Sequence, residues 1–196
     1  EKYSSMSPYQ YAANSPVMNI DVNGDSIIVQ PNPNGIIDEI KSWLGFDTKY
    51  QSQVKADLKQ LKRDDPVVGK MITELEKSEN IHEITMPDER SRYQNATLYN
   101  SQKAEEETPQ GSVVFYDPER KEVGSENVRT SRVGLVHELQ HALDLDKGAF
   151  DPNTRINGIL KMDIRAVNIE NRIRKVTGDT KRIRYGKKEI PLEFLE

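Results

Sequence analysis

The stretch LVHELQHALD, residues 135–144, constrains this chain more than any other part of the sequence. It holds two of the three histidines, His137 and His141, four residues apart. On a helix, residues at i and i+4 stand one turn apart on the same face, so both imidazoles can reach one tetrahedral metal ion. Glu138 lies beside them, where its carboxylate can accept a proton from a water molecule bound to that metal ion. This HExxH pattern predicts a metal-binding helix.

A purely structural helix is the alternative interpretation of the same stretch. Its other residues are mostly uncharged, which predicts burial in a core, and buried histidines could pair with neighbouring side chains. Burying two histidines and a glutamate is costly without compensation, however, and a metal ion supplies that compensation. The chain has no cysteine, so any transition-metal site must be built from His, Asp and Glu.

A catalytic zinc ion needs a third protein ligand, and several residues compete for that role. His82 is the remaining histidine, but it lies in a strand-like stretch, where a satisfied or exposed histidine is favoured. Asp144 shares the helix with the motif, and helix geometry hinders its return to the same metal, so it fits better as a partner of a ligand or as a polar residue of the last helical turn. The next helix, MDIRAVNIENRIRKV, offers Asp163 and Glu170 beside its apolar stripe. Periodicity does not choose between these two.

Composition and charge exclude two classes of function. A formal net charge of −4 argues against a groove that tracks nucleic-acid phosphates. No apolar run approaches the length that spans a bilayer. The N-terminus, EKYSSMSPYQ, has neither an initiator Met nor a leader pattern, so we expect a piece of a longer chain. With 196 residues, of which 35% are hydrophobic, one sizeable core is expected.

Hydrophobic spacing predicts a mixture of helices and strands, and therefore an α+β fold. The predicted helices cover 36–46, 51–63, a stretch that starts at Asp64 to Pro66, roughly 130–146 and 159–177. The first three are interpreted as scaffold. The predicted strands cover 81–86 and 112–118, with a polar loop or hairpin between them and a strand-like RIRYG near the end. We expect the edge of the 112–118 strand to pair with an extended substrate.

The first 24 residues resemble the closing segment of the RHS-repeat core. The matching positions are Ser7, Pro8, Tyr9, Tyr11, Asn14, Pro16, Val17, Asp21 and Gly24. One departure is Val22, where that family usually has proline. The resemblance implies that residues 1–24 are the tail of an RHS shell and that 25–196 form its C-terminal toxin, secreted or delivered into a target cell. An irregular tail with chance similarity is the alternative.

From Val113 onward the chain resembles the effector-type zinc metallopeptidases of the NleD kind, which also occur as toxin tips of RHS proteins. The matching residues are Tyr116, Asp117 and Pro118; His137 to His141 with Ala142 and Leu143; Asp163, Ala166 and Val167; Glu170, Asn171, Ile173 and Arg174; and Arg182 with Tyr185.

This resemblance implies a zincin-like metallopeptidase domain that holds Zn²⁺. The ligands it implies are His137, His141 and Asp163, with Glu170 as the less favoured third ligand. The family has a glutamate where this chain has Asp163, which is one methylene shorter.

The resemblance also implies the activity of a zinc-dependent endopeptidase toxin or effector. Glu138 would be the general base, and Tyr185 with Arg182 would stabilise the oxyanion. The substrate would be a protein in a target cell, and a cognate immunity protein is a further expected partner. The shortened Asp163 motivates an alternative, a catalytically impaired zincin-fold module that acts through protein interaction. Zinc chemistry on another bond, such as an amide side chain, is a third interpretation.

Overall fold

A four-stranded mixed sheet and two long helices form the centre of the molecule. The structure is a computed structural model that describes residues 26–92, 94–121 and 129–196. The expected RHS tail, residues 1–24, and the domain boundary at 25 lie outside the described residues. Among the residues that are described, no helix is both long and apolar enough to cross a bilayer.

The sheet places one short strand at the edge nearest the HExxH helix. Its strands are β1 (Ile27–Val29), β2 (His82–Thr85), β3 (Ala96–Leu98) and β4 (Ser112–Phe115), in the order β1-β2-β4-β3. β1, β2 and β4 are parallel, whereas β3 runs antiparallel to β4, with Thr97 opposite Val114. The prediction that the 112–118 strand offers its edge to a substrate is therefore wrong. β4 is paired on both sides, because the polar segment before it contributes β3.

Six helices surround this sheet in the described part of the chain. They are α1 (Ile36–Trp43), α2 (Lys49–Asp64), α3 (Pro66–Glu76), α4 (Ser101–Glu105), α5 (Ser131–Asp146) and α6 (Lys161–Thr177). Thr48 and Gln51 form a capping box at the start of α2. Asp65 caps α3, where Pro66 occupies the first turn and needs no hydrogen-bond acceptor for its nitrogen. The predicted helices are thus present, and the α+β, zincin-like fold is confirmed.

Two small hairpins lie beside α6. One joins β5 (Arg155–Ile156) to β6 (Ile159–Leu160), and the other joins β7 (Arg184–Tyr185) to β8 (Lys188–Glu189). Ile159, Ile164, Val167 and Ile190 form a small buried cluster that packs these hairpins against α6. This packing brings the C-terminal part of the chain close to the HExxH helix.

Helix α5 is buried on almost every side and lies at the centre of the hydrophobic core. Its apolar residues pack with α2, α3, α6 and the sheet in one cluster, in which Leu135, Leu139 and Ile173 have no exposed surface. Burying a side chain of that size contributes roughly 1.5–3 kcal/mol. The core therefore holds α5 in a fixed position, and the polar residues on its remaining face are held with it.

Candidate metal centre and active site

Three side chains on α5 and α6 converge on one point. The Nε2 atoms of His137 and His141 lie 3.2 Å apart, as their i, i+4 spacing requires. Asp163, in the first turn of α6, places Oδ1 3.6 Å from Nε2 of His141. Each of the three offers one ligand atom, and these atoms lie within 4.8 Å of one another. All three residues are buried.

The electrostatics of this cluster suit a divalent cation. Burial, followed by the nearby His137, lowers the pKa of His141 well below its usual value, so its imidazole is neutral and keeps a lone pair for a metal. Burial raises the pKa of Asp163, and it also raises that of the neighbouring Glu138. A cation among these groups would offset the cost of burying the carboxylates. Two imidazoles and one carboxylate are a donor set that Zn²⁺ accepts, so the residues present fit the metal.

Glu138 is held by a residue that the sequence analysis missed. The hydroxyl of Thr97, at the middle of edge strand β3, lies 2.9 Å from Oε2 of Glu138 and 3.1 Å from its carbonyl oxygen. This contact joins the edge of the sheet to α5. In the sequence, Thr97 is one β-branched residue in a polar segment, and no motif distinguishes it.

Glu170 lies behind His137 and is surrounded by arginines. Its carboxylate accepts hydrogen bonds from Arg129, at 2.8 Å, and from Arg182, at 3.0 and 3.1 Å, while Nε of Arg174 lies 3.7 Å away. Its Oε1 is 3.3 Å from Nδ1 of His137. Burial alone would raise the pKa of Glu170, but His137 and the arginines lower it to about 2. The structure therefore places this carboxylate on the far side of the His137 ring from His141.

Tyr185, on β7, closes one side of the cluster. Its ring stacks almost parallel to that of His137, with centroids 6.1 Å apart. Burial, then the charge on Asp163, raises the pKa of Tyr185, so the phenol stays protonated. Arg182 lies 4.9 Å from the Tyr185 ring centroid, and the Asn171 side chain forms two hydrogen bonds with the Arg182 backbone. These contacts fix the segment that carries Tyr185.

The other candidate residues lie apart from this cluster. His82 is buried, with Nδ1 2.9 Å from the Ser112 hydroxyl and Nε2 3.3 Å from Asp146, so it is the satisfied strand histidine that the sequence favoured. Asp144 accepts hydrogen bonds from Gln140 and Arg165, not from either motif histidine. Neither residue belongs to the set that could hold a metal.

Comparison with known protein families places part of the chain in a described family. A family model for M91 peptidases, with the description "Effector protein", matches residues 44–178, which is more than half of the 196-residue chain. The matched range contains the three converging side chains, Glu138 and Glu170, whereas Arg182 and Tyr185 follow it. No curated protein and no solved structure matches the chain significantly.

Proposed function

The chain belongs to the M91 peptidase family of effector proteins, and on this premise we propose that it is a zinc-dependent endopeptidase that cleaves a protein in a target cell. The observation that carries the proposal is the convergence of His137, His141 and Asp163 beside the buried carboxylate of Glu138. A family of peptidases and a site with the side chains of a metallopeptidase support the same conclusion.

We propose that His137, His141 and Asp163 are the zinc ligands, the set that the resemblance to NleD-type metallopeptidases implies. Zinc bound there would supply a Lewis acid that polarises the scissile carbonyl and makes a water molecule more acidic. Glu170 is the weaker candidate, because its oxygens are already engaged by arginines. We assign it instead to the orientation of His137, through the contact with Nδ1.

Glu138 would take the proton from the attacking water and later deliver it to the leaving amine. A carboxylate whose pKa is raised by burial suits both steps, because it accepts a proton near neutral pH more readily than an exposed one. The hydrogen bond from Thr97 keeps Oε2 in a fixed orientation while the backbone of α5 holds the residue in place.

Tyr185 would stabilise the oxyanion that forms when water adds to the peptide carbonyl. It is protonated and its ring stacks on the ligand His137, so its hydroxyl can donate to an oxyanion beside the ligands. Donors of this kind are typically worth about 10²–10³ in rate. Because the guanidinium of Arg182 pairs with Glu170, we propose that Arg182 acts by holding Tyr185 and Glu170 in position.

An extended substrate would bind along the outer edge of β3, which no strand of the described residues pairs with. Since β3 ends the sheet order, its outer backbone groups can pair with a peptide strand. Thr97 lies in this strand and contacts Glu138, so a peptide aligned along β3 would pass next to the general base.

We further propose that residues 1–24 are the tail of an RHS shell, that 25–196 form the delivered peptidase and that a cognate immunity protein protects the producing cell. The effector description of the family supports delivery into a target cell. The resemblance in the first 24 residues supports the RHS origin.

The test is to express the wild-type chain and the Glu138→Gln variant in candidate target cells and to identify new protein termini by mass spectrometry. New termini are expected with the wild type and with the surface control Glu193→Gln, but not with Glu138→Gln. The same termini from Glu138→Gln with zinc still bound would overturn the mechanism. Toxicity of both chains without any new terminus would support the non-catalytic binding module instead.

A further inference from the structure

Helix α1 turns its apolar side away from the protein. The sequence predicted a scaffold helix here, but its large apolar residues and those that follow it are exposed. Their exposed fractions are 74% for Ile36, 73% for Ile37, 52% for Ile40, 77% for Trp43, 55% for Leu44 and 64% for Phe46. We call these six residues the α1 face.

The side of α1 that contacts the protein is polar. Asp38 is 6% exposed, and its carboxylate accepts hydrogen bonds from the backbone N–H groups of Asn34 and Lys49, each at 3.3 Å. An amphipathic helix usually buries its apolar stripe and exposes its charges. This helix does the reverse, and its orientation is held by specific hydrogen bonds.

The α1 face is large enough to be an interface. At these exposures, six large apolar side chains present on the order of 700 Å² of surface, because aromatic residues alone can bury about 150–250 Å² each. The largest apolar patch on a typical monomer is about 300–600 Å². A specific interface buries about 800 Å² on each partner. The area of the α1 face therefore exceeds the largest apolar patch of a typical monomer and approaches the area that each partner buries in a specific interface.

We propose that the α1 face binds the α1 face of a second copy of this chain, in a two-fold symmetric dimer. The family match begins at residue 44, just after α1 ends at Trp43, so the shared peptidase domain does not account for this helix. A two-fold interface is formed by the same patch on both subunits, and one apolar stripe is sufficient for it.

Other occupants are less consistent with the described residues. All six residues are exposed, so within the described part of the chain no other segment covers the α1 face. A membrane surface is disfavoured because the exposed flanks of α1 carry one glutamate and one lysine, not a basic face.

The charges on α1 also select the direction of pairing. At 100° per residue, Glu39 and Lys41 lie about 100° from the centre of the apolar stripe, one on each side, so they occupy opposite flanks of the helix. In a parallel pair, each Glu39 flank faces Lys41 of the partner subunit, whereas in an antiparallel pair like charges face each other. Both side chains are exposed and so can reach across. We therefore assign a parallel arrangement.

The first experiment measures self-association of the full chain by sedimentation velocity from about 1 to 300 μM. We expect a dimer with a dissociation constant in the tens of micromolar, because an interface of this area is among the smaller specific interfaces, which tend to bind weakly. Trp43 is the only tryptophan, so its emission should shift to shorter wavelength over the same concentration range. Ile40→Glu should abolish both changes, whereas Leu192→Glu, at an 81% exposed position outside the face, should not.

The second experiment tests the arrangement with charge exchanges that leave the apolar stripe intact. Glu39→Lys and Lys41→Glu should each weaken the dimer about 3- to 10-fold, and the double variant should restore it, because two exposed ion pairs are lost and then regained. A chain that is monomeric at about 300 μM, or a dimer indifferent to Ile40→Glu, would overturn the proposal. Blue-shifted Trp43 emission in a monomer would also overturn it, since another segment would then cover the face. Single exchanges that leave the affinity unchanged, as an antiparallel pair predicts, or a double exchange that fails to restore binding would overturn the parallel pairing.

Discussion

Replacement of Glu170 by glutamine should destabilise the metal-free protein, whereas the matched change Asp163→Asn should not. Both substitutions remove one buried negative charge and keep the shape of the side chain. Their effects on stability should differ because the two carboxylates have different charged neighbours. Glu170 is ionised next to His137 and three arginines. Among the described residues no arginine forms an ion pair with Asp163, and burial raises the pKa of that carboxylate.

The magnitude follows from the depressed pKa of Glu170. A decrease from an ordinary value of 4.5 to about 2 corresponds to about 3 kcal/mol in favour of the ionised form in the folded state. Removing one partner of a buried ion pair typically costs about 3–5 kcal/mol, which agrees. For a chain of this size, about 3 kcal/mol lowers the melting temperature by about 6–12 °C. Since the folded-state pKa lies below the unfolded one, this contribution is complete above about pH 4.5 and is lost as the pH falls through about 2.

The assay is thermal or urea unfolding of chelator-treated wild type, Glu170→Gln and Asp163→Asn at neutral pH. Because burial disfavours the Asp163 charge without a metal, Asp163→Asn should melt at or above the wild-type temperature. Added zinc should then raise the melting temperature of the wild type strongly and that of Asp163→Asn hardly at all. Glu170→Gln should also be stabilised, but with an affinity for zinc about 10- to 100-fold lower than that of the wild type. An unchanged melting temperature for Glu170→Gln, or a larger loss for Asp163→Asn, would refute this assignment of the two carboxylates.

Three further substitutions test the remaining contacts. In a peptide-cleavage assay, Thr97→Val should lower kcat about tenfold without changing KM or zinc content, because Glu138 loses the hydroxyl that orients it. Thr97→Ser keeps that hydroxyl and should cleave the peptide at the wild-type rate. Tyr185→Phe should lower kcat/KM about 10²-fold with zinc retained, and an unaltered rate would eliminate the phenol as oxyanion donor. Gly134→Ala should lower the free energy of unfolding by about 1–3 kcal/mol in urea, since its Cβ would lie 2.6 Å from Nδ2 of Asn95 and 2.9 Å from the Arg129 guanidinium. Neither side chain is free to move away, because Asn95 is bonded to Asp117 and Arg129 to Glu170.

The residues of the HExxH helix could be identified from the sequence because their signal is local. His137, Glu138 and His141 are adjacent on any helix that contains them, and the uncharged neighbours indicate that the helix is buried. The capped starts of α2 and α3 are local in the same sense, since Thr48 and Asp65 bond to the helices that they precede.

The roles of Asp163 and Glu170 depend on packing between helices and could not be read from the sequence. The two residues lie seven positions apart, two turns along one side of α6, so the same periodicity describes both. Which one faces the Nε2 atoms of the motif histidines, and which one lies behind His137 at Nδ1, is decided by how α6 lies against α5 and by where Arg129 and Arg182 contact Glu170.

Two other features were hidden for related reasons. Strand β3 is three residues long and lies in a polar segment, so neither it nor the Thr97 contact has a periodic signal. The apolar stripe of α1 is plain in the sequence, but the stripe alone does not show which side meets the protein. The inward contact of Asp38 decides that, and it needs the backbone of Lys49 from the next helix.

The central claim is that His137, His141 and Asp163 form a zinc site served by Glu138, and the most direct measurement is zinc content. Wild type and Glu138→Gln, dialysed against trace zinc and analysed by elemental mass spectrometry, should each hold about one zinc ion per chain. His141→Ala and Asp163→Ala should hold far less at the same zinc activity, while remaining folded by circular dichroism. A wild-type chain without zinc, or full zinc occupancy in folded His141→Ala, would contradict the account.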